Sequence, residues 1–144
     1  MPQTLDEFRV KFRVDELELR RNAGWTSSLR PAACTLGACV FSANRPHTSL
    51  ATLDRQEAAD LVELVAWFEG AARARFAAEK FNYLALMMVD DHLHFHALPR
   101  YAAERNVGDA TFRDAAWPGP PDLKGENPDR LAEVRAMLLG GEVA

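Results

Sequence analysis

Residues 90–101 of this chain read DDHLHFHALPRY, from Asp90 to Tyr101. Three histidines, His92, His94 and His96, occupy alternate positions in this stretch and are separated by apolar residues. A period of two is the pattern of a β-strand, in which successive side chains point to opposite faces of a sheet. The pattern therefore predicts a strand with three imidazoles on one face and an apolar face that packs on a core.

The composition of the whole chain limits what this strand can belong to. With 144 residues, the chain is long enough to bury one core and too short for two, so we predict a single domain over residues 1–144. The net charge of −4 and the lack of a basic cluster argue against a polynucleotide partner. The sequence shows neither an apolar run of about 18 residues nor a basic leader, so we expect a cytoplasmic protein with no membrane association.

The sequence around the histidines predicts helices and further strands. Asp54 followed by Glu57 is a helix-capping pattern, and the apolar stripe after it predicts a long helix over 55–79. Residues 82–89 are almost continuously apolar, so we predict a strand that is buried on both faces and forms a hairpin with the histidine strand. The other predicted elements are a short helix near 4–11 and strands over 25–29 and 35–43.

The sequence changes character after residue 101. Residues 102–126 are polar and rich in turn-forming residues, which predicts an ordered arm around Trp117. We expect Asn127 to cap a final helix that has Pro128 in its first turn and Gly140 just past its end.

Three roles remain open for the histidine face. Imidazoles bind zinc, but the first and third Cα atoms of such a strand lie roughly 13 Å apart, so a zinc site would need two histidines and a distant ligand. The central imidazole can instead be a covalent nucleophile toward phosphorus or carbon, with its neighbours binding or protonating the substrate. A purely structural role is the least favoured, because burying several imidazoles without a task carries a desolvation cost.

The segment from His92 to Leu98 resembles the signature of the histidine triad family, a superfamily of nucleotidyl hydrolases and transferases in which three histidines alternate with apolar residues. The following Pro99-Arg100-Tyr101 is similar to the continuation found in dinucleoside polyphosphate hydrolases of that family. A Thr-Leu-Gly segment, a loop with Arg45, a long helix and an Asn-Tyr-Leu segment occur in the same order. The resemblance covers roughly residues 25–101 and leaves 102–144 as a C-terminal extension.

This resemblance implies an α+β fold with an antiparallel sheet of about five strands, one long helix packed on it, a C-terminal arm and helix, and a homodimer. It implies that His94 attacks the α-phosphorus of a dinucleoside polyphosphate or nucleoside phosphoramidate and forms a nucleotidyl-histidine intermediate. His92 and His96 would then bind the phosphoryl oxygens. The resemblance implies no metal bound by the triad, although the substrate can carry a divalent cation. The expected substrate-binding residues are Arg100, Arg45, Asn82 and Gly37.

The sequence departs from the family pattern at two positions. Ala38 follows Gly37 where many members carry a further histidine, and Met88 lies in the segment where a glutamine, asparagine or serine often contacts the phosphate. A nucleotide-binding or sensing protein with weak or no turnover is therefore the alternative hypothesis, and a zinc-binding module is the third. We interpret His47 as a loop residue without a functional role.

Overall fold

The central element of the fold is a five-stranded antiparallel sheet with the strand order β1-β2-β3-β5-β4. The structure is a computed structural model and describes residues 3–140. Together with the helices described below, this sheet confirms the predicted α+β fold. The strands are β1 (Glu18–Arg21), β2 (Trp25–Leu29), β3 (Cys39–Ala43), β4 (Lys80–Leu84) and β5 (His94–Arg100).

The long helix α3 (Arg55–Phe76) packs on one face of this sheet. Its start is the predicted one: the Asp54 side chain accepts a hydrogen bond from the Glu57 backbone, and the Glu57 side chain accepts one from the Asp54 backbone. It ends at Phe76 rather than at residue 79, because Ala77 adopts a left-handed conformation with φ of 54°. The helix buries one stripe of side chains against the sheet: Leu64, Phe68, Ala72 and Phe76.

Strand pairing decides which residues face α3. Residues that are directly opposite in an antiparallel pair lie on the same face of the sheet. Phe41 is opposite Phe95, and Cys39 is opposite Ala97, and all four belong to the core beneath α3. The alternate residues of β5, His94 and His96, therefore lie on the other face of the sheet.

Short helices lie at both ends of the described chain. Helix α1 (Leu5–Lys11) agrees with the predicted helix near 4–11, and α2 (Val14–Leu17) follows it. The C-terminal arm contains a small hairpin of β6 (Arg105–Val107) and β7 (Ala110–Phe112) and then α4 (Leu131–Leu138). Within residues 3–140, every helix is too short or too polar to span a bilayer.

The predicted hairpin with the histidine strand is confirmed, because β4 pairs antiparallel with β5, but the predicted bounds of 82–89 and the burial on both faces were wrong. Strand β4 ends at Leu84 and is an edge strand, since β5 is its one strand partner within residues 3–140. Met88 and Val89 are 82% and 85% exposed, and Met87 has a positive φ of 41° that interrupts the extended chain. A continuous apolar run carries no period, so it cannot distinguish a central strand from an edge strand followed by a loop.

Two other boundaries differ from prediction. The strand expected from residue 35 begins at Cys39, because Gly37 has a φ of 78° in the preceding turn. Asn127 does not cap α4, whose N-cap is Arg130. The Asn127 amide group instead bonds the backbone of Arg113 and the carbonyl of Cys34, which fastens the arm to the body. Gly140 lies just past α4 with a φ of 89°, as predicted.

Two left-handed positions allow a paired stability test. Gly37→Ala is expected to lower the free energy of unfolding by about 1–2 kcal/mol, because alanine tolerates a positive φ poorly and its Cβ would lie 3.2 Å from the Phe76 ring. Ala77→Gly, at the left-handed end of α3, is expected to raise it by up to about 1 kcal/mol. Urea denaturation measures both. If both substitutions raised, or both lowered, the free energy of unfolding, this account would be contradicted.

Candidate functional site

The structure brings His92, His94 and His96 together on the face of the sheet opposite α3. His94 and His96 lie in β5, and His92 precedes the strand by two residues. The rings of His94 and His96 meet edge to face with centroids 5.2 Å apart. All three histidines are buried. They are thus close enough to act on one small group.

Hydrogen bonds to backbone carbonyls orient two of these rings. His94 Nδ1 lies 2.6 Å from the carbonyl oxygen of His92, and His92 Nε2 lies 2.8 Å from the carbonyl oxygen of Ala43. A carbonyl oxygen can only accept, so the bonded ring nitrogen carries the proton in each case. In neutral His94 the lone pair is therefore on Nε2, which is the nitrogen that a nucleophile needs to have free.

Burial lowers the pKa of all three histidines below the usual value. For His96, burial is the main cause, repulsion by the Arg30 cation and by His94 when it is protonated adds to it, and the pKa falls to about 4. Burial also dominates for His92 and His94, where the hydrogen bonds to carbonyl oxygens oppose it. At neutral pH the triad is therefore uncharged, and His94 keeps its lone pair.

These pKa shifts make the fold acid-sensitive. Between about pH 6.5 and pH 4 the unfolded chain protonates its histidines while folded His96 stays neutral, so stability falls as the pH falls. Each proton taken up only by the unfolded chain changes the free energy of unfolding by about 1.4 kcal/mol per pH unit. We expect His96→Leu to reduce the dependence of the free energy of unfolding on pH between pH 6.5 and 5 by an amount that corresponds to at most one proton. Urea denaturation at several pH values measures this dependence. An unchanged slope would show that His96 titrates normally in the folded state.

Helix α1 and its C-cap residue Phe12 cover the histidine face. The Phe8 ring centroid lies 5.0 Å from those of His92 and His94, and Phe12 lies 5.6 Å from His94. The sequence predicted the helix without this role. Its only signal was the spacing of Phe8 and Phe12, which puts both rings on one side of a helix.

His47 is part of the framework behind the triad. Its Nε2 lies 2.8 Å from a carboxylate oxygen of Glu57, and its Nδ1 lies 2.8 Å from the Thr52 hydroxyl. Its carbonyl oxygen accepts a hydrogen bond from the Leu93 backbone, inside the triad segment. The interpretation of His47 as an inconsequential loop residue was therefore wrong, because this buried side chain joins the loop to α3 beside the histidines.

Arg100 and Asn82 form a hydrogen-bonded network with the C-terminal arm. Arg100 Nε and Nη2 donate to the two carboxylate oxygens of Asp114 at 2.6 and 3.0 Å. Its Nη1 donates to Asn82 Oδ1 at 2.6 Å, and Nη2 also donates to the carbonyl of Gly119. The Arg100 and Asp114 side chains are almost completely buried. All three guanidinium nitrogens donate to groups of the protein itself, so the expected binding of substrate by Arg100 and Asn82 is not supported by this arrangement.

The other expected binding residues do not converge on the triad. Gly37 approaches Phe76 of α3 and Pro99, which places it on the core side of the sheet, away from the histidines. We therefore assign Gly37 to a turn. Arg45 is exposed and lies 3.5 Å from Asp54. Ala38 is buried beside Leu98, and Met88 projects from the loop between β4 and β5.

The histidine face does not form a protein-only metal cage. Within residues 3–140, no group of three or more histidine, cysteine, aspartate or glutamate side chains is placed to hold a metal ion. Metal binding here would need ligands from water or a substrate to complete the coordination shell.

The described structure has the fold of histidine triad proteins of known structure. A histidine triad protein from Sinorhizobium meliloti aligns with a TM-score of 0.70 at 19% identity over 96% of both chains. A histidine triad protein from Marinobacter aquaeolei aligns with a TM-score of 0.65 at 24% identity, over 89% of this chain and 90% of that one. The Caenorhabditis elegans NitFhit protein aligns over 87% of this chain with a TM-score of 0.63 at 15% identity.

These similarities establish the fold alone. This chain spans only 27% of the length of the NitFhit protein and 64% of a HIT family protein from Bacillus anthracis, so it does not represent those whole proteins. No family model and no curated protein matches the sequence.

Proposed function

We propose that this protein is a nucleotide hydrolase or nucleotidyl transferase of the histidine triad type. It would cleave a dinucleoside polyphosphate or a nucleoside phosphoramidate at the α-phosphate. The observation that carries the proposal is the His94 ring, whose Nδ1 donates to the carbonyl of His92 and thereby leaves the lone pair on Nε2. The lowered pKa of His94 keeps that lone pair available at neutral pH.

The proposed reaction has two steps. His94 Nε2 attacks the α-phosphorus, a P–N bond forms, and the bond from phosphorus to the leaving oxygen or nitrogen breaks while that atom takes a proton from solvent. Water then attacks the same phosphorus and loses a proton to solvent, the P–N bond breaks, and a nucleoside monophosphate leaves with His94 regenerated. His96 lies two residues beyond His94 and would donate a hydrogen bond to a phosphoryl oxygen. His92 would do so only when its Nδ1 is also protonated, because the proton of neutral His92 is on Nε2 and is donated to the Ala43 carbonyl.

His96 is suited to this binding role. Its Nδ1 is buried without a hydrogen-bond partner among the described residues. A buried polar atom of this kind is costly to leave unpaired, and a phosphoryl oxygen would supply the missing partner. A divalent cation carried by the substrate would offset the charge of the phosphates.

The alternative function is nucleotide binding or sensing with little turnover. Two observations favour this alternative. Ala38 and Met88 offer no polar group to the phosphate, and Arg100 is bound to Asp114. A zinc-binding module is the third candidate, which would use two of the histidines together with ligands from outside the described residues.

We also propose a homodimer that forms through the edge of β4. Strand β4 has a hydrogen-bonded neighbour only on its β5 side within the described chain, and the loop after it exposes Leu86, Met88 and Val89. A second copy would cover both features. Cytoplasmic localisation stays a prediction.

A panel of labelled dinucleoside polyphosphates and aminoacyl-nucleotide phosphoramidates tests the function. We expect release of a nucleoside monophosphate from at least one compound, with and without magnesium. Binding of nucleotides without any release would favour the sensor. Stoichiometric zinc in protein purified without a histidine tag, together with failure to bind nucleotides, would favour the zinc module.

A further inference from the structure

The structure shows the proposed nucleophile in a covered state. Phe8 is completely buried over the rings of His92 and His94, and only 2% of His94 is exposed. Phe12 adds a second ring that stacks on Phe8 and approaches His94 and His96. Attack on phosphorus needs direct contact between Nε2 and the substrate. A nucleotide therefore cannot reach His94 while α1 is in this position.

Polar atoms beneath α1 lack partners in the covered state. The hydroxyls of Ser28 and Ser42 and Nδ1 of His96 are buried without hydrogen bonds among the described residues. Strand pairing puts Ser42 opposite His94, and Val40 opposite both His96 and Ser28, so these atoms share the histidine face. Buried polar atoms are normally paired. Water or a phosphoryl group would pair them once the face is uncovered, which favours an open state.

The contacts that hold α1 in place are separate from the main core of the protein. The helix has seven residues, too few to be stable alone, and its apolar contacts form a small cluster separate from the main core. Two polar links tie it to the triad segment: Lys11 Nζ and Gln3 Nε2 lie 2.7 and 2.8 Å from the same oxygen of Asp90. The Lys11 side chain is 51% exposed, so water can compete for this ion pair.

The connection to α2 provides a pivot. Arg13, between α1 and α2, is left-handed with a φ of 53°, a conformation that residues other than glycine adopt rarely. Rotation at this residue toward the common region would swing α1 away from the sheet and would break the Arg9–Asp15 ion pair, which joins α1 to α2.

We propose that α1 is a lid that opens at Arg13 to admit the substrate to His94, and that the Lys11–Asp90 ion pair holds it closed. That the substrate is a nucleotide rests on the proposed function, whereas the covering of the histidine does not. The lid makes access to His94 an equilibrium between two states, and weakening the ion pair shifts it toward the open one.

Chemical modification of the histidines tests the lid without any substrate. Diethyl pyrocarbonate acylates neutral imidazole, and the lowered pKa of His94 keeps it neutral at pH 7, so slow modification reports on access rather than on protonation. Tandem mass spectrometry of the triad peptide follows His94. The variants are Lys11→Met and, as the matched control, Lys80→Met. Lys80 is opposite Arg100 in the sheet, and Arg100 is six residues from His94 along β5, which is about 20 Å.

We expect His94 of the wild type to react at least tenfold more slowly than a histidine in a short peptide. Lys11→Met should react at least about two- to fivefold faster than the wild type, the range for loss of a fully exposed ion pair, because Asp90 of this pair is mostly buried. Lys80→Met should match the wild type. His47 is an internal reference, because both of its ring nitrogens are bonded elsewhere. Equal rates for Lys11→Met and the wild type, or wild-type His94 reacting as fast as the peptide, would overturn the lid.

Turnover separates this inference from the proposed function. If the protein cleaves nucleotides, kcat/KM of Lys11→Met should rise by the same factor as the modification rate. If no variant cleaves any compound while Lys11→Met still speeds the modification of His94, the lid stands and the proposed function fails. If nucleotides are cleaved and the modification rates are equal, the function stands and the lid fails.

Discussion

Replacing His94 with asparagine is expected to lower turnover of the best nucleotide substrate by about 10⁴-fold or more. Asparagine has no basic nitrogen that could attack phosphorus. Its side-chain amide can still donate to the carbonyl of His92, as His94 Nδ1 does, so the fold should be kept. Initial rates of nucleoside monophosphate release measure the loss, and thermal unfolding checks the fold.

The control for this variant is Lys80→Met, which changes the far end of the same sheet and should keep wild-type turnover. His96→Asn should have a smaller effect than His94→Asn, because it removes a contact to the phosphoryl group and leaves the nucleophile. Turnover by His94→Asn within tenfold of the wild type would exclude His94 as the nucleophile and leave general acid–base catalysis by its neighbours.

Asp114→Ala is expected to lower the free energy of unfolding by about 3–5 kcal/mol. The substitution leaves the buried Arg100 guanidinium without the carboxylate that accepts two of its hydrogen bonds. Asp114 also accepts a hydrogen bond from the backbone of Tyr101, so its loss affects the end of β5 as well. Urea denaturation at pH 7 measures the change.

A double-mutant cycle separates the ion pair from the packing around it. Arg100→Met with Asp114→Leu removes both charges, and we expect it to cost less than the sum of the two single substitutions. Asp129→Ala, at an exposed position, should change stability by less than about 0.5 kcal/mol and controls for loss of an acid. A stable Asp114→Ala protein with a raised KM would instead return Arg100 to the substrate site.

The sequence predicts the part of the site that depends on local pattern. Strict alternation from His92 to His96 predicted one shared histidine face. Strand pairing puts His94 and His96 there, and the Phe8 ring, which contacts both His92 and His94, places His92 beside them. Asp54 and Glu57 predicted the start of α3, because a capping box is contained within four residues. These features depend on periodicity and hydrogen bonds over a few residues, which a single sequence displays.

The sequence could not predict the contacts that join distant segments. Phe8 meets His92 and His94 across more than eighty residues, and nothing in the spacing near Phe8 specifies which surface it covers. The partner of Arg100 was equally hidden, since several acidic residues in the arm could have paired with it. The histidine strand was therefore found, whereas its cover and the arginine network required the structure.

The edge position of β4 is a further feature that the sequence could not predict. The run from Asn82 to Val89 is apolar enough for a central strand. The order of strands in the structure shows that β4, which contains the first three of these residues, lies at the edge of the sheet. In the dimer that we propose, part of this apolar surface is covered by a second copy. The composition of the segment would then reflect an interface rather than the core of one chain.

The most direct test of the central claim is capture of the covalent intermediate on His94. Wild-type protein is mixed with a labelled substrate, quenched at alkaline pH within the first turnover, and digested for tandem mass spectrometry, since phosphorus–nitrogen bonds to histidine are labile in acid. We predict one nucleoside monophosphate attached to His94 in the wild type and none in His94→Asn. Turnover by the wild type with no adduct on His94, or with the adduct on another residue, would contradict the assignment of His94 as the nucleophile.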